Sequence, residues 1–399
     1  MTTARTPDPA QVRPPFCGPR PDVVASHAMD NPTSPTPLPP MPSRAELLGL
    51  LRATGPDLEA LYQRANALRR ERCGDAVPVR SIVEFSNLCS NDCLYCGIRA
   101  SNPVPSRYRM DVEDILACAR QIAAAGLAGT IVLQGGETPG PADADLETAI
   151  RRIKAQLPSL AVTLSVGNRS RDVYARWKDA GMDRFLLRFE TSDPALFARL
   201  HPDCSLEDRL RCLRDLASLG VQTGSGFMVG LPGETIETLA DNVLLCRHFD
   251  FDMIGIGPFI PNPDTPLRDF HNAYAGDPDM FFRALAILRI ANPDAHIPAT
   301  TAYDAVFPDG RNLALRRGAN VFMPNATPGP LRKNYLLYPG KPCVDEDAAD
   351  CSLCVAARLR ALGRPVAKGP SHSLKPRKSS PPPLPDSPFP PVDGFSTGG

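Results

Sequence analysis

Short apolar runs alternate with amphipathic stretches along most of this 399-residue chain, and the alternation limits the folds it can adopt. The apolar runs are rich in β-branched residues, which favours strands, whereas the intervening stretches have helical periodicity. Several predicted helices end at a glycine before the next strand, where an αβ loop needs a C-terminal cap. These glycines are Gly126, Gly181, Gly220 and Gly318. Eight strands separated by helices predict a parallel (β/α)8 barrel of the TIM type. The predicted strands are 81–86, 129–134, 161–166, 184–190, 221–229, 253–259, 296–300 and 319–322.

Composition and charge indicate how far the domain extends and which classes of partner to expect. The hydrophobic fraction of 43 % supports one large core, flanked by proline-rich segments that lack hydrophobic periodicity. We therefore expect a domain at 44–364 between disordered tails at 1–43 and 365–399. The net charge is zero and no long apolar run occurs, so we expect no nucleic-acid partner and no membrane span. Six of the 12 cysteines lie in two tight clusters. This pattern indicates thiols that are kept reduced to bind metal, and we expect a cytoplasmic protein.

Cys89, Cys93 and Cys96 follow the first predicted strand in a C-x3-C-x2-C run. Three thiolates on one short loop suit a 4Fe–4S cluster and leave one iron without a protein ligand. Ferredoxin-type clusters and structural zinc sites normally use four protein ligands. An iron with a vacant position can bind a small molecule, so the motif predicts a catalytic centre. A zinc knuckle or three buried thiols is the alternative.

The barrel topology places further polar residues beside this loop. Active sites of such barrels lie at the C-terminal ends of the strands. Several chemistry-bearing residues follow or end predicted strands, and we expect them at the same mouth as the cysteines. They are Gly135 and Gly136 after strand two, Arg188 and Glu190 in strand four, and Thr300 and Thr301 at strand seven.

Other segments narrow the interpretation beyond the cysteine spacing, which is itself the signature of radical S-adenosylmethionine (SAM) enzymes. They are IVEFSNLCSNDCLYCGIRASN, RYRM, LQGGET, LLRFET, GFMVGLPGET, FDMIGIGPFIPNPDTPL, PATTA and NYLLYPGKPC. On these segments the chain, from about residue 44 to 362, resembles the HydE family of radical SAM maturases of FeFe-hydrogenases.

The resemblance implies roles for the cofactor-binding residues. The three motif cysteines ligate the cluster, and Tyr95 packs near the adenine of SAM. Gly135 and Gly136 offer backbone groups to the methionyl amine, which a side chain would obstruct. Glu190 accepts hydrogen bonds from SAM, and Arg209 pairs with its carboxylate. The plainer alternatives are a simple turn at the glycines and a solvated surface arginine.

The resemblance also implies a small organometallic substrate, a cysteine-bound Fe(CO)2(CN) fragment that a 5′-deoxyadenosyl radical attacks. Arg80 and Arg188 are expected to bind its anionic groups, unless they form salt bridges to Glu84 or Asp183. The other expected substrate contacts are Met253, Thr300, Thr301, Tyr335 and Tyr338.

A second array, Cys343, Cys351 and Cys354, has the spacing C-x7-C-x2-C. By resemblance it carries an accessory iron–sulfur cluster, which occurs in some members of the family only. Zinc and unligated thiols are the alternatives. Water or Asp345 is expected to complete the ligand set.

The resemblance implies transient partners, namely other hydrogenase maturases and a flavodoxin or ferredoxin electron donor. Two rival classes stay open. One is another biotin-synthase-like radical SAM enzyme, either a sulfur inserter or an amino-acid mutase such as methylornithine synthase. The other is a non-catalytic iron–sulfur carrier. A sulfur inserter needs a second cluster inside the barrel, whereas the second array here follows the last strand.

Overall fold

The computed structural model describes residues 40–140, 142–346 and 348–376. Most of the predicted tails at 1–43 and 365–399, namely residues 1–39 and 377–399, lies outside these residues. The strands are β1 Arg80–Ser86, β2 Thr130–Gly135, β3 Ala161–Ser165, β4 Arg184–Leu186, β5 Gln222–Val229, β6 Met253–Pro258, β7 Pro298–Ala299 and β8 Val321–Phe322. The helices are α1 Arg44–Leu51, α2 Gly55–Cys73, α3 Val112–Ala125, α4 Ala142–Gln156, α5 Arg171–Asp179, α6 Pro194–Leu200, α7 Leu206–Ser218, α8 Ile236–Phe249, α9 Asp279–Ala291, α10 Thr301–Val306, α11 Gly310–Arg316, α12 Gly329–Arg332 and α13 Ala348–Ala361.

The strands follow chain order around a ring. β1 to β6 form one parallel sheet, and β7 pairs with β8 in parallel. Single bridges connect the two parts, because Met253 pairs with His296 ahead of β7 and Val79 pairs with Phe322 of β8. The predicted (β/α)8 order is confirmed, and it places the C-terminal ends of all strands at one mouth.

Side-chain alternation divides each strand between core and barrel interior. Val83 and Phe85 of β1 lie in the apolar core between sheet and helices. Arg80 and Glu84 lie on the opposite face, because successive side chains of a strand point to opposite sides. The same alternation puts Arg184 of β4 inside the ring. The barrel interior is therefore lined by charged and polar groups.

The predicted helix ends are confirmed where glycine was expected to cap them. All four glycines adopt the positive φ that a left-handed cap requires. Their φ values are 65° at Gly126, 110° at Gly181, 71° at Gly220 and 127° at Gly318.

The predicted fourth strand is too long. β4 ends at Leu186, and Glu190 has a φ of 64°, which a strand residue does not adopt. The chain still touches the sheet at Glu190, through a single bridge to Phe227. Glu190 therefore lies in a turn that follows β4, at the mouth of the barrel, and not within the strand.

The predicted tail boundary at residue 365 is wrong for the residues the structure describes. Val366 pairs with Val77 ahead of β1, and residues 369–375 cross the N-terminal ends of several strands. Composition missed this segment because polar contacts to the barrel fix it, with little apolar burial. In the described part of the chain, no helix is both long enough and apolar enough to span a membrane.

Candidate active site

The loop after β1 that carries Cys89, Cys93 and Cys96 is fixed by three other parts of the chain. The amide of Ser90 donates to the carbonyl of Glu137, after β2, at 2.7 Å. The amide of Leu94 donates to Leu200 at the end of α6, and the amide of Gly97 donates to Leu337. The motif is therefore held in shape by backbone bonds.

Arg107 adds a second set of bonds to the same loop. Its guanidinium donates to the carbonyls of Asn87 at 2.7 Å, Ile98 at 2.8 Å, Arg99 at 2.6 Å and Asn102 at 2.8 Å. These carbonyls bracket the cysteines on both sides, so Arg107 clamps the loop. Arg107 begins the RYRM segment, but no sequence pattern indicated its role, because its partners are backbone carbonyl oxygens.

Two glycines permit close backbone packing at the loop. A Cβ atom at Gly136 would lie 2.1 Å from the carbonyl oxygen of Leu88, and one at Gly97 would lie 1.9 Å from that of Leu336. Both distances are far below contact, so these positions require glycine. The chain's own backbone explains Gly136, and the predicted contacts of Gly135 and Gly136 to the methionyl amine stay predictions.

The three motif cysteines are buried enough to resist ionisation. Burial raises the pKa of Cys89, and it raises that of Cys96 to about 12. Burial and the neighbouring thiol of Cys96 raise the pKa of Cys93 further. A cationic metal group reverses this preference because it binds thiolates. Three converging thiols fit a 4Fe–4S cluster with three protein ligands.

Buried charged groups surround the loop with unused hydrogen-bonding atoms. Arg188 Nη2 lies 3.2 Å from Glu190 Oε2, and Arg209 Nη2 lies 3.6 Å from Glu137 Oε2. Within the described residues, Oε2 of Glu190 and Nε of both arginines have no hydrogen-bond partner. Burial raises the pKa of Glu190 despite the two arginines. Such groups suit a polar ligand with amino and carboxylate functions.

Tyr95 is positioned by His201, a residue that no sequence motif had singled out. The Tyr95 hydroxyl lies 2.7 Å from His201 Nε2, and His201 Nδ1 lies 2.9 Å from the carbonyl of Phe197. The carbonyl only accepts, so Nδ1 carries the proton and Nε2 accepts from Tyr95. Burial lowers the pKa of His201 to about 4, which keeps the ring neutral.

Several predicted substrate residues meet one another. Thr301 Oγ1 lies 2.6 Å from the Tyr338 hydroxyl, and Gln134 Nε2 donates to the Tyr335 hydroxyl at 3.3 Å. Thr300 Oγ1 donates instead to the carbonyl of Ile256. The segment that contains the two tyrosines thus contacts both β2 and the start of α10.

Arg80 and Met253, two of the predicted substrate residues, do not lie at the mouth of the barrel. They begin β1 and β6, at the opposite end of the strands from the cysteines, and Arg80 Nη1 lies 2.8 Å from Met253 Sδ. The structure does not bring them together with Arg188, and their contact with substrate stays a prediction.

The alternative prediction, that Arg80 and Arg188 form salt bridges to Glu84 or Asp183, is wrong for the described residues. Lys341 forms a buried ion pair with Glu84. Lys154 binds Asp183 at 2.8 Å. Both carboxylates are therefore already paired, which the sequence order did not reveal.

The second cysteine array is partly assembled. The donor atoms of Cys343, Glu346 and Cys351 lie within 4.8 Å of one another. Cys354 is exposed, and Asp345 does not belong to this group. The carboxylate at residue 346 was not among the predicted ligands. A mixed sulfur and oxygen donor set of this kind fits iron or zinc.

Comparison with known proteins agrees with this geometry. The sequence pattern of the radical SAM superfamily matches residues 83–246. The FeFe-hydrogenase maturase subunit HydE of Thermotoga maritima is 49 % identical over 306 residues, which are 77 % of this chain and 86 % of that protein. The chain belongs to the HydE family. It is therefore a radical SAM enzyme that cleaves SAM, and a hydrogenase maturase by homology.

More distant relatives share the fold. A biotin synthase of Rippkaea orientalis is 27 % identical over 292 residues, covering 70 % of this chain and 78 % of that protein. The solved structure of a methylornithine synthase superposes with a TM-score of 0.71 at 24 % identity, over 82 % of this chain and 94 % of that one. Membership of the HydE family confirms the resemblance on which the cofactor prediction rests.

The neutral state of His201 makes stability depend on pH. Its folded pKa of about 4 lies below the ordinary value of about 6.5, so the unfolded chain takes up a proton first as pH falls. The contribution of His201 is complete above pH ~6.5 and declines toward pH ~4. Between pH 7 and 5 it should decrease by about 2 kcal/mol.

Urea denaturation of the metal-free chain at both pH values measures this, with the fluorescence of Trp177, the single tryptophan, as the signal. His201→Asn should lose about 2 kcal/mol less than wild type between the two pH values. The surface variant His248→Asn should behave as wild type. Equal losses in all three proteins would contradict the assignment.

Proposed function

We propose that this chain uses SAM cleavage to convert a cysteine-bound Fe(CO)2(CN) fragment during assembly of the di-iron subcluster of FeFe-hydrogenase. Its partners are the other maturases, which supply the fragment and accept the product, and a flavodoxin or ferredoxin that supplies electrons. Extensive identity to a HydE maturase supports the proposal.

The SAM site is supported by buried polar atoms beside the cysteine loop that lack hydrogen bonds. The Nε atoms of Arg188 and Arg209 have none in the described structure, and Glu190 Oε2 has only its 3.2 Å ion pair with Arg188. Buried polar atoms are almost always paired in native proteins. A zwitterionic ligand that is both donor and acceptor accounts for all three.

The residues of the site have separable tasks. A bound cluster supplies the electron that breaks SAM into methionine and a 5′-deoxyadenosyl radical. The cysteine loop fixes the position of that event, because Arg107 and the backbone bonds hold it. Arg209 provides positive charge for a carboxylate, and Glu190 accepts from an amine or hydroxyl. The half-buried ring of Tyr95 and the buried ring of His201 limit access of water beside the loop, as radical chemistry requires.

The substrate side is proposed at the segment that contains Tyr335 and Tyr338. The ion pair of Lys341 with Glu84 anchors this segment to the inner face of β1, and Lys341 Nζ also donates to the carbonyl of Tyr335 at 2.9 Å. Arg188 contacts Glu190, which is assigned to the SAM side. We place Arg188 between cofactor and substrate for this reason. This arrangement supports an anionic substrate that reacts at the barrel mouth.

Loss of one cluster ligand tests the chemistry. Anaerobically reconstituted Cys93→Ser should lose at least 99 % of 5′-deoxyadenosine formation, because its cluster lacks one of the three ligands. Reduced protein is incubated with SAM, and the nucleoside is measured by chromatography. Cys73→Ser, which changes a cysteine on α2 remote from the loop, should retain wild-type activity. Equal activity of Cys93→Ser and wild type would disprove the proposed cluster ligation.

Two arginines on α7 form a matched pair for SAM binding. Arg209 is almost fully buried beside the cysteine loop, whereas the Arg211 side chain is 62 % exposed and pairs with Asp208. Arg209→Met should weaken SAM binding about 10-fold to 100-fold, since a charge-assisted hydrogen bond contributes ~1.5–3 kcal/mol. Arg211→Met should not change it.

Calorimetric titration of cluster-loaded protein with SAM measures both variants. Similar affinities for Arg209→Met and wild type would exclude Arg209 from the SAM site without affecting the cluster assignment.

We also propose that the second cysteine array binds a metal group, with Glu346 as the oxygen ligand in place of Asp345. Cys343 donates its S–H to Cys351, and the backbone amide of Asn325 donates to the same sulfur; both hydrogen bonds lower the pKa of Cys351. Arg332 fixes the loop because it donates to the carbonyl of Cys343 at 2.9 Å. The thiolate, the backbone donor and the anchored loop together favour metal binding.

The neighbouring acids offer a direct comparison. Glu346→Gln should alter the absorption and electron paramagnetic resonance spectra of the second metal group and lower its occupancy at least twofold. Asp345→Asn should leave both unchanged. The comparison is made in protein with the Cys89, Cys93 and Cys96 site replaced by serines, so that only the second group contributes. Identical spectra for the two variants would remove Glu346 from the ligand set.

Sulfur insertion of the biotin-synthase type is less compatible with this site. Cys343 precedes α13, and Cys351 and Cys354 lie within it, after the last strand of the barrel. A sulfur inserter needs its second cluster inside the barrel. The distant identity to biotin synthases therefore supports common fold and cofactors only.

A further inference from the structure

The N-terminal ends of the strands carry a surface that the proposed function does not use. Residues 369–375 lie across it in extended contact. Thr130 Oγ1 of β2 donates to the carbonyl of Pro370 at 3.1 Å, and Arg184 Nη2 of β4 donates to the same carbonyl at 2.7 Å. Arg80 Nη2 of β1 donates to the carbonyl of Ser371 at 3.3 Å.

The rest of the segment contacts the other half of the ring. His296 Nε2, ahead of β7, donates to the carbonyl of His372 at 3.0 Å. The amide of Ser373 donates to Gln222 of β5 at 2.9 Å. Lys375 Nζ lies 2.6 Å from Asp250 Oδ1, in the turn ahead of β6. The segment thus contacts the start of six strands.

The absence of a side chain at Gly129 leaves room for the backbone of this segment. A Cβ atom at Gly129 would lie 1.8 Å from the carbonyl oxygen of Gly369 and 2.2 Å from its carbon. Gly129 does not have a positive φ, so no turn requires glycine there. The requirement comes from the backbone of residue 369 and is independent of the hydrogen bonds.

Two buried arginines lie under the segment. Arg80 is 4 % exposed and Arg184 is 0 % exposed. In the part of the chain that the structure describes, neither has a carboxylate within ion-pair distance, and Arg80 Nε has no hydrogen-bond partner. Buried guanidinium groups need acceptors, which the carbonyl oxygens of the segment supply.

The attachment is polar throughout. None of the side chains at 369–375 belongs to the buried apolar core, and Leu374 is 47 % exposed. Hydrogen bonds exchanged with water contribute little net stability, whereas ordering seven residues costs conformational entropy. Segments with this balance open locally while the core stays folded.

We propose that the N-terminal end of the barrel is a binding surface whose partner is this chain's own segment 369–375, acting as a removable closure of the barrel interior. When seated, the segment separates Arg80 and Met253 from solvent. When it leaves, an opening that exposes Arg80 and Arg184 forms at the end of the barrel opposite the cysteine loop. The proposal rests on the proposed function only in taking the barrel interior as the place of reaction.

Labelling of arginines with phenylglyoxal, mapped by mass spectrometry on cluster-loaded protein, tests the closure. In a chain ending at Lys368 and in Gly129→Ala, modification of Arg80 and Arg184 should accelerate at least tenfold. A chain ending at Pro376, which keeps the segment, should match the full chain. Gly276→Ala should also match it, because a Cβ atom there meets nothing within 4 Å.

Arg289 serves as the internal reference, since it is fully buried elsewhere and donates to the carbonyls of Gly318 and Ala295. It should stay unmodified in every variant. Unchanged labelling of Arg80 in the shortened chain would overturn the proposal, because another element would then close the barrel. If Arg289 were labelled as fast as Arg80 in the shortened chain, the proposal would also be overturned, because removal of the segment would then have unfolded the domain.

Hydrogen exchange of the full chain tests removability. The amide of Ser373 should exchange at least 100-fold faster than that of Val132 in β2. Equal protection of the two amides would show a permanent closure and contradict the proposal. Neither experiment measures SAM cleavage, so its outcome is independent of the activity tests.

Discussion

The site depends on the close approach of two loops at the mouth of the barrel. The turn after β2 passes so near the start of the cysteine loop that position 136 has room for a hydrogen atom only. That contact brings the carbonyl of Glu137 to the amide of Ser90, next to the first ligand. It also places the Glu137 side chain beside Arg209. Cluster loop and SAM-binding residues are therefore positioned by the same backbone contact.

Much of this architecture was predictable, for a physical reason. Strand and helix periods differ, so the order of elements could be derived from the pattern of apolar residues. The cysteine spacing identified the catalytic loop because three thiolates on so short a loop have few uses. The helix α2 was missed, since it begins with Gly55-Pro56 and is strongly charged. Its burial against the rest of the domain depends on a few residues such as Leu61 and Ala65.

The parts that could not be predicted involve pairing across long sequence separations. Glu84 could have bound either substrate-site arginine, but Lys341, 257 residues away, occupies it. Arg107 could have been a surface residue, because its partners are carbonyl oxygens and carry no sequence signal. The end of the domain was placed too early for the same reason. Composition measures apolar content, and residues 369–375 are held by backbone oxygens.

Charge is distributed unevenly between the two ends of the barrel. At the mouth, arginines meet carboxylates, as in the contacts of Arg188 with Glu190 and of Arg209 with Glu137. At the opposite end, Arg80 and Arg184 meet neutral oxygens. Burial lowers the pKa of Arg184 to about 10, which still leaves it charged at neutral pH. The arginines of the two ends are thus satisfied differently, by carboxylates at the mouth and by carbonyl oxygens at the opposite end.

The clamp formed by Arg107 also bears on how the ligand loop is held in shape. In zinc fingers the metal itself orders the chain, so the binding affinity includes the cost of that ordering. Here the Arg107 guanidinium and the neighbouring amides hold the loop through bonds that do not involve the cysteine sulfurs. The order of the ligand loop therefore has a source in the chain itself, in addition to any metal group.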